Sequence, residues 1–419
     1  MRWALRPVLL CGAMALLLLL QLSFSFAEDK EPWIGKLADG TVLTEEGLKA
    51  ILAEHAKWVD SFGKEGKRAD LAGANLFRAN LSGANLSQAE LSGAILAQAK
   101  LLKADLDRAT LVEAMLSGAD LSGSDLSQAD LTRAELSANL NWADLTEANL
   151  SEANLNGASL YKAILVGSNL SKSTAFTSKF WESNFKVSIV DGLKLSDADF
   201  AGAYYESVIG VPDKNYLSGL VNIETITYGS QDSVSALVVL RNIFREIGLR
   251  ESERKATYAI QYGQLKFRPW PERIFHYILF VIPCDYGLYP GRCLRILALL
   301  IPIFALAYIF PIRGNDSDSG IYQIWHTERI PKYIGTDQPQ RLQGKGWASV
   351  GWALYFSLIV ACRIGWRDLN LGTWISHLQR REYILKPTGW VRSVAGVQSV
   401  LSVYLLALWV LTYFGRPFE

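Results

Sequence analysis

The chain has 419 residues, which is long enough for more than one domain. Its formal net charge is only +1, so nothing in the overall charge predicts a nucleic-acid partner or a strongly charged substrate. Four cysteines are too few for a fold held together by disulfides. Half of the residues are hydrophobic, and they cluster in runs that are typical of membrane segments, at 8–26, 294–312, 347–362 and 394–414.

The N-terminus has the pattern of a secretory signal. Arg2 and Arg6 precede the apolar run 8–26, and small residues lead up to a cleavage point after Ala27. We therefore predict that residues 1–27 are a signal peptide. Because the apolar run is long, an uncleaved signal anchor is the alternative. In either case the residues that follow leave the cytoplasm.

Residues 28–68 form a linker and one amphipathic helix, which is predicted over 44–62. Thr44 is a suitable N-cap, and two glutamates follow it in the first turn. Apolar residues and one histidine recur at helical spacing on one face: Leu48, Ile51, Leu52, His55, Val59 and Phe62. We interpret His55 and Trp58 as packing residues rather than catalytic ones.

The stretch 69–205 repeats a five-residue unit, A-(D/N)-L-x-x. Every fifth residue is leucine or a substitute for it, and a small residue, usually alanine, stands two positions before it. A period of five fits neither a helix nor a flat strand, but it fits a tube with four short sides in which leucine and alanine point inward. The other positions are expected to face water. About 28 units give roughly seven coils and a height on the order of 34 Å.

Two irregularities interrupt this repeat. One residue is missing between Leu136 and Leu140, so we expect a tightened corner there. From Ser171 onward aromatic residues enter the repeat, and serine replaces alanine at the small position. Larger central side chains predict a wider and less regular end of the tube.

The repeat resembles that of the pentapeptide-repeat family, whose fold is a right-handed quadrilateral β-helix. A solenoid needs a cap, because its first coil exposes a hydrophobic face and strand edges. His55, Trp58 and the sequence Gly-Lys-Glu-Gly-Lys-Arg at 63–68 resemble the cap that precedes the repeats in many members. Together with the apolar runs, the resemblance gives a mixed fold class: an N-terminal helical cap, a right-handed quadrilateral β-helix over 69–205, and an α-helical membrane domain.

Residues 206–292 are predicted to hold a helical hairpin and an interfacial helix. Two helical patterns, which end near Gly248 and Lys266, form the hairpin. The aromatic run 274–282 is too short to cross a bilayer. Its phenylalanine, tyrosine and histidine content suits a helix that lies in the membrane interface.

Cys284 and Cys293 flank a Pro-Gly pair near the outer end of the next apolar run. In an oxidising periplasm these two thiols could form a disulfide. The alternative is that both are simply buried at the interface, and the sequence leaves the two interpretations open.

Residues 293–419 are predicted to form a transmembrane domain with two spans. The runs 294–312 and 394–414 are long enough to cross a bilayer. Small and mildly polar residues in the second run favour helix–helix packing in lipid: Gly396, Gln398, Ser399, Ser402 and Thr412. Between the two spans, the run 347–362 is marginal in length and forms either a re-entrant helix or a short third span.

The order of elements in this domain resembles the layout of a two-span potassium-channel pore. The first span is followed by a loop, by a short apolar helix that ends in a glycine-containing segment, and by the second span. The segment in place of the filter is Cys362, Arg363, Ile364, Gly365, Trp366, Arg367 and Asp368. Gly365 and Asp368 match the pattern of that family. Cys362 and Arg363, however, replace its two threonines, and Arg367 replaces the second glycine of its turn. Because arginines repeated around one axis repel cations, we interpret the segment as a degenerate pore retained for assembly, with ion conduction as the alternative.

The topology follows from the predicted signal peptide. It places the repeats in the periplasm, anchored to the inner membrane of a bacterium, a host that the family resemblance implies. The loop 313–393 then lies in the cytoplasm, and its many lysines and arginines agree with the positive-inside rule. The filter entrance of a potassium channel faces outward, so a pore in this orientation would be inverted.

The chain has no phosphate-binding glycine loop, no G-x-S-x-G, no C-x-x-C and no pair of histidines at helical spacing. We therefore predict a non-enzymatic interaction scaffold without catalytic residues, cofactor or metal. Its predicted partners are membrane lipid, further copies of the chain in a homo-oligomer, and a protein on the β-helix face; the alternative is an ion-channel-like membrane protein. Mimicry of DNA against a topoisomerase, known in some pentapeptide-repeat proteins, needs a strongly acidic cytoplasmic tube, and this tube is only mildly acidic.

Overall fold

The computed structural model describes residues 33–230, 234–314, 318–325, 339–363 and 383–414. The chain divides into two compact units. The first unit reaches Gly229 and also includes 233–240, and the second contains the chain from Arg241 onward. The predicted signal peptide, 1–27, lies outside the described residues.

The first unit starts with a β-hairpin and a helix. Strands β1 (Ile34–Lys36) and β2 (Val42–Thr44) pair in antiparallel fashion. Helix α1 (Glu45–Asp60) follows at once. The Thr44 hydroxyl accepts a hydrogen bond from the N–H of Gly47 at 3.2 Å, so the predicted N-cap is confirmed.

The repeats form a tube of four-sided coils. Parallel β-bridges join the residue before a central leucine to the residue 20 positions later, as between Asn75 and Ile95. Because 20 residues are four repeat units, each coil has four sides. Backbone hydrogen bonds follow the same spacing, since the Leu76 N–H donates to the Ile95 carbonyl at 2.8 Å. The central leucines and the alanines before them are buried. The predicted β-helix, with leucine and alanine inward, is therefore confirmed.

Each side of a coil ends in a β-turn. The N–H of the small residue donates to the carbonyl of the central residue three positions before it, as from Ala79 to Leu76 at 2.9 Å. The second residue after the central residue of each repeat has a positive φ, as in a type II turn. This holds in every turn from Gly73 to Ser207 except one shortened corner. Many of these residues, such as Arg78, are not glycine. Each regular corner thus requires a residue with a left-handed backbone conformation. The five-residue period of the sequence does not indicate this requirement.

The aspartates and asparagines of the repeat have a structural role that the sequence analysis did not predict. Their side-chain oxygen accepts the N–H of the residue two positions later, as from Phe77 to Asn75 and from Asp107 to Asp105, both at 3.1 Å. This bond satisfies a backbone donor at the start of the turn. The first outer position therefore helps to fix the corner and is not only a solvated one.

The residue missing between Leu136 and Leu140 is absorbed at one corner. The bridged residues are 19 positions apart there, as between Asp120 and Asn139, and the spacing returns to 20 one coil later. At this corner the Ala138 N–H donates to the Leu136 carbonyl at 2.6 Å, two positions back instead of three. The predicted tightened corner is therefore confirmed.

The far end of the tube has an aromatic core. The ring centroids of Phe180 and Phe185 are 5.1 Å apart, and those of Phe180 and Phe200 are 5.2 Å apart. Serine is tolerated at the buried small position because its hydroxyl donates to the backbone, as from Ser183 to the Phe180 carbonyl at 2.7 Å. Parallel bridges continue beyond 205, and one reaches Thr227.

The second unit is mainly helical. Helix α2 (Ser235–Glu246) begins in the first unit and ends in the second, and α3 (Arg250–Gln264) follows after a tight turn. Helix α4 (Trp270–His276) continues through a π-helical turn (Tyr277–Val281) into a last turn (Ile282–Cys284). Short 3-10 turns occur along the chain at Lys214–Tyr216, Ile223–Thr225 and Leu265–Phe267.

Three apolar helices complete this unit: α5 (Gly291–Arg313), α6 (Trp347–Arg363) and α7 (Trp390–Phe414). Helices α5 and α7 are long and apolar enough to cross a membrane. Helix α6 has 17 residues. Its length of about 25 Å is less than the thickness of the hydrocarbon core of a bilayer.

A small antiparallel sheet was not predicted from the sequence. Strand β3 (Ile321–Trp325) pairs with β4 (Gln340–Arg341) on one side and with β5 (Tyr383–Pro387) on the other. Arg341 donates from Nη2 to the Pro311 carbonyl of α5 at 3.1 Å, which connects the sheet to the end of that helix. The strands are short, and helix α6 separates β5 from the other two, so no local pattern indicates their pairing.

Candidate functional site

Helix α6 packs against both long apolar helices. Its Phe356 ring lies edge-on to the Tyr308 ring of α5, with centroids 4.9 Å apart. Ala353 of α6 belongs to the same buried cluster as Ala305 of α5 and Ala395 of α7. Small residues at these contacts let the three helices approach one another closely.

A buried group of polar side chains joins these helices. We call it the polar junction and define it as Tyr308, Ser357, Gln398 and the Ile301 carbonyl. The Tyr308 hydroxyl donates to Gln398 Oε1 at 2.8 Å, and Gln398 Nε2 donates to Ser357 Oγ at 2.7 Å. The Ser357 hydroxyl donates to the Ile301 carbonyl at 2.7 Å. The sequence predicted a packing role for Gln398, but only the structure identifies its partners on the other two helices.

The path of the chain through the helices follows from contacts at the two ends of α6. Helix α6 begins beside the end of α5, where Arg313 Nε donates to Ser349 Oγ at 2.7 Å. It then runs back along α5, because Ser357 reaches Ile301, 12 positions before Arg313. Strand β5, the next described element, pairs with β3, which starts eight residues after α5 ends. The chain therefore enters and leaves the bundle at the same end, which favours the re-entrant interpretation.

His55 forms part of the contact between α1 and the first coil. Its Nδ1 accepts a hydrogen bond from the Ala69 N–H at 3.0 Å, and its ring stacks on Trp58 with centroids 5.7 Å apart. Burial lowers the pKa of His55, which favours the neutral ring that this bond requires. Nε2 finds no hydrogen-bond partner among the described residues. These contacts agree with the predicted packing role.

One outer wall of the tube carries a cluster of aromatic residues. We call it the aromatic wall and define it as Trp142, Tyr161, Lys162 and Trp181, which lie in consecutive coils. The Trp142 and Tyr161 rings meet edge-on with centroids 5.5 Å apart, and Lys162 Nζ lies 4.4 Å from the Trp142 ring centroid. The sequence held one signal for this cluster: the two tryptophans are 39 residues apart, close to two coil lengths.

The repeats of the first unit match known proteins in sequence. The family profile described as Pentapeptide repeats (8 copies) matches residues 74–111, 111–137 and 138–174. The solved structure of HetL, a pentapeptide repeat protein involved in heterocyst differentiation regulation from the cyanobacterium Nostoc sp. strain PCC 7120, is 30% identical. That match covers 37% of this chain and 69% of HetL, with a TM-score of 0.19. The chain belongs to the pentapeptide-repeat family.

Two further solved pentapeptide-repeat proteins are similar to this chain. The protein alr5209 from Nostoc PCC 7120 is 33% identical over 28% of this chain and 78% of its own length, with a TM-score of 0.14. Rfr23 from the cyanobacterium Cyanothece 51142 is 21% identical over 34% of this chain and 91% of its own length, with a TM-score of 0.20. No curated protein matches the chain.

The pore-like segment of this pentapeptide-repeat protein lies largely outside the described residues. Cys362 and Arg363 are the last two residues of α6, and nothing is described of their side chains or of 364–368. The role of these seven residues therefore stays a prediction. Within the part of the chain that the structure describes, no group of three or more His, Cys, Asp or Glu side chains could hold a metal ion.

Cys284, before α5, and Cys293, in the first turn of α5, are buried free thiols. Cys284 donates to the Phe280 carbonyl and Cys293 to the Pro283 carbonyl, both at 3.4 Å. The neighbouring Cys293 thiol and burial raise the pKa of Cys284, which keeps this thiol protonated. Burial is thus confirmed, and a disulfide between them stays a prediction.

Proposed function

We propose that this pentapeptide-repeat protein is a non-enzymatic scaffold, anchored in a membrane by α5 and α7, which presents the walls of its β-helix to a protein partner. One observation carries the proposal. A single chain combines a tube of coils joined by backbone hydrogen bonds with two helices that are long and apolar enough to cross a membrane.

In this proposal both ends of the tube are capped. Strand β1 lies along the first coil, where the Asn75 N–H donates to the Lys36 carbonyl at 2.7 Å, and α1 contributes the His55 contact. At the far end, Leu240 of α2 and Phe200 of the core line the same small apolar cavity. Caps of this kind keep exposed strand edges from pairing with other chains.

The segment from α4 to Cys284 is proposed to lie in the membrane interface. Large apolar side chains are exposed along it: Trp270, Ile274, Phe275, Tyr277, Ile278 and Ile282. The Tyr404 hydroxyl of α7 donates to the Leu279 carbonyl, which connects the segment to a proposed span. Exposed aromatic residues beside apolar helices are typical of the boundary between lipid and water.

Helix α3 is proposed to lie at the same membrane surface. Arg250 and Arg254 each donate from Nη2 to the Tyr413 carbonyl near the end of α7, at 2.6 and 3.1 Å. Cations at this position are favourable because the C-terminal end of a helix carries partial negative charge. The two arginines would therefore fix the end of the second span.

We further propose that the chain forms a homo-oligomer in the bacterial inner membrane, with its repeats in the periplasm. Membranes of a bacterial host that expresses the full chain would be washed with alkaline carbonate. We expect the protein to stay in the membrane pellet, whereas its release into the supernatant would overturn the proposed anchor. Native mass spectrometry of the solubilised protein should show more than one copy, and a monomer would overturn the oligomer.

A second candidate function is that of an ion-channel-like membrane protein. The observation that favours it is the path of the chain, which enters and leaves the bundle at one end, as a re-entrant pore segment does. The test is ion flux into liposomes that contain the purified protein, with Arg363 and Arg367 replaced singly by glutamine. Flux whose cation–anion preference changes in these variants would support a pore, and flux no greater than in empty liposomes would exclude one.

A further inference from the structure

We infer that the aromatic wall is the docking surface of the scaffold and that its partner is a protein segment combining carboxylates with apolar side chains. This inference rests on the proposed scaffold function and identifies the part of the β-helix that performs it. It is supported by the exposed ring of one tryptophan, by the clustering of aromatic residues and by the charge of the wall.

Trp142 occupies a backbone position that disfavours it. Its φ is +61°, in the left-handed region, where a bulky side chain is strained. The same turn position on this wall is glycine one coil earlier, at Gly123. Burial does not offset the strain, because 56% of Trp142 is exposed. Other non-glycine residues share this conformation, so it is the exposed ring of Trp142 that indicates a role in recognition, because tryptophan is enriched at binding hot spots.

The tryptophans of the repeats all lie on this wall. Trp142 and Trp181 are the two tryptophans between 69 and 205, and Tyr161 lies in the coil between them. The Trp142 N–H donates to the Tyr161 carbonyl and the Lys162 N–H to the Trp181 carbonyl, both at 2.8 Å. These bonds hold the three coils in fixed register, so a partner that binds here orders little further backbone. Tryptophan and tyrosine are also the residues enriched at binding hot spots.

The charge of this wall differs from that of the others. The whole side of the tube that carries the aromatic wall has four lysines and three acids among residues 70–207: Lys100, Lys103, Lys162, Lys179, Asp120, Glu182 and Asp199. Two of the other walls each carry six acids and two bases, and the remaining wall is balanced. An acidic partner is therefore favoured on this side of the tube over the one adjacent acidic wall and the acidic wall opposite, which sets the face on which it docks.

Two lysines place positive charge beside apolar rings. Lys162 Nζ lies 5.2 Å from the Tyr161 ring centroid as well as 4.4 Å from that of Trp142, and Lys179 Nζ lies 5.2 Å from the Trp181 ring centroid. Lys162 Nζ also lies 3.5 Å from Glu182 Oε2, so a partner carboxylate there competes with this ion pair, whereas beside Lys179 it meets the ammonium next to the exposed Trp181 ring. Nucleic acid fits less well, because its binding depends on many phosphate contacts with basic residues, and four lysines against three acids leave this side of the tube with a net charge of only +1.

The test measures binding of fluorescein-labelled octapeptides to the purified full-length protein in detergent micelles. We expect a peptide of alternating aspartate and leucine to bind, and peptides of alternating lysine and leucine or aspartate and serine to bind about tenfold more weakly or worse. Trp142→Asn should weaken binding of the aspartate–leucine peptide about tenfold. It should also raise the unfolding midpoint by about 2 °C, because asparagine tolerates a positive φ.

The matched control is Val187→Asn, at the same turn position on another wall, where φ is +58°. It should raise the unfolding midpoint similarly and leave peptide binding unchanged. The inference is overturned if none of the octapeptides binds, if Trp142→Asn binds as the wild type does, or if a thymidine octanucleotide displaces the bound peptide. The two proposals can fail separately. Absence of peptide binding by the purified protein would contradict only the docking surface. Release of the protein from carbonate-washed membranes would contradict only the membrane anchor.

Discussion

At the scale of single residues, the tube depends on a position that the repeat A-(D/N)-L-x-x leaves free. The last residue of this unit must adopt a left-handed conformation at each regular corner. Gly83 adopts it without strain, whereas Val187, which is β-branched and has a φ of +58°, does not. The residue at this position therefore adjusts the stability of each coil without changing the inward-facing core.

Two substitutions at this position should have opposite effects. Gly83→Ala should lower the free energy of unfolding by about 1 kcal/mol, since its added Cβ meets open space but has to adopt a positive φ. Val187→Asn should raise it by about 1 kcal/mol, because asparagine visits this conformation more readily. Chemical denaturation followed by circular dichroism measures both changes. Equal stability of the two variants and the wild type would contradict this explanation of the corners.

His55 should make the stability of the tube depend on pH. Burial lowers its pKa in the folded state from the ordinary 6.5, so folding favours the neutral ring. Its contribution is complete above about pH 6.5 and is lost as the pH falls from there through the lowered folded pKa. His55→Gln keeps an acceptor for the Ala69 N–H but does not titrate.

We therefore expect the wild-type unfolding midpoint to fall further between about pH 7 and pH 5 than that of His55→Gln. Thermal scans at both pH values measure this difference. Parallel pH dependence of the two proteins would show that another group is responsible.

At the scale of elements, the polar junction determines how the three apolar helices pack. Gln398→Leu should lower the free energy of unfolding by about 1 kcal/mol, since it removes the acceptor of Tyr308 and the donor to Ser357. Tyr308→Phe should cost less in this variant than in the wild type, because its hydroxyl has already lost its acceptor. Unfolding of the purified protein in micelles measures both effects.

The control for the polar junction is Val397→Leu, next to Gln398 but with an exposed side chain. It should change the free energy of unfolding by less than about 0.5 kcal/mol. If Tyr308→Phe costs the same with and without Gln398, the two side chains do not interact.

The sequence predicted the elements that depend on a local pattern of residues. The period of five residues indicates the four-sided tube, and the residue missing before Leu140 indicates the tight corner at Ala138. The left-handed turn positions depend on hydrogen bonds between coils, so the strain at Trp142 could not be predicted. Strands β3 and β5 are about 60 residues apart, and neither has a long alternating pattern, so their pairing had no local signal either.

Less of the candidate site follows from the sequence. Gln398 is conspicuous as a polar residue in an apolar span, and its packing role could be predicted. Tyr308 and Ser357 are unremarkable in their own helices and become partners only when three helices pack. The pore-like segment 362–368 can be recognised by its place between the two long apolar helices, but its altered filter residues do not indicate conduction of any ion.

At the scale of the whole molecule, the proposed function depends on which compartment holds the repeats. The predicted signal peptide and the basic loop 313–393 both indicate periplasmic repeats. The sheet of strands β3–β5 lies at the end of the bundle where α5 ends and α6 begins. In the proposed topology this end lies in the cytoplasm, whereas a potassium-channel orientation would place it outside.

Cysteine labelling in intact spheroplasts of a bacterial host, with a membrane-impermeant maleimide, tests this claim most directly. In a variant without its native cysteines, Ser82→Cys reports on the tube and Lys345→Cys on the segment before α6, and both positions are exposed. We predict that position 82 is labelled in intact spheroplasts and that position 345 is labelled only after lysis. Labelling of position 345 but not of 82 before lysis would contradict the exported scaffold and restore the orientation of a channel.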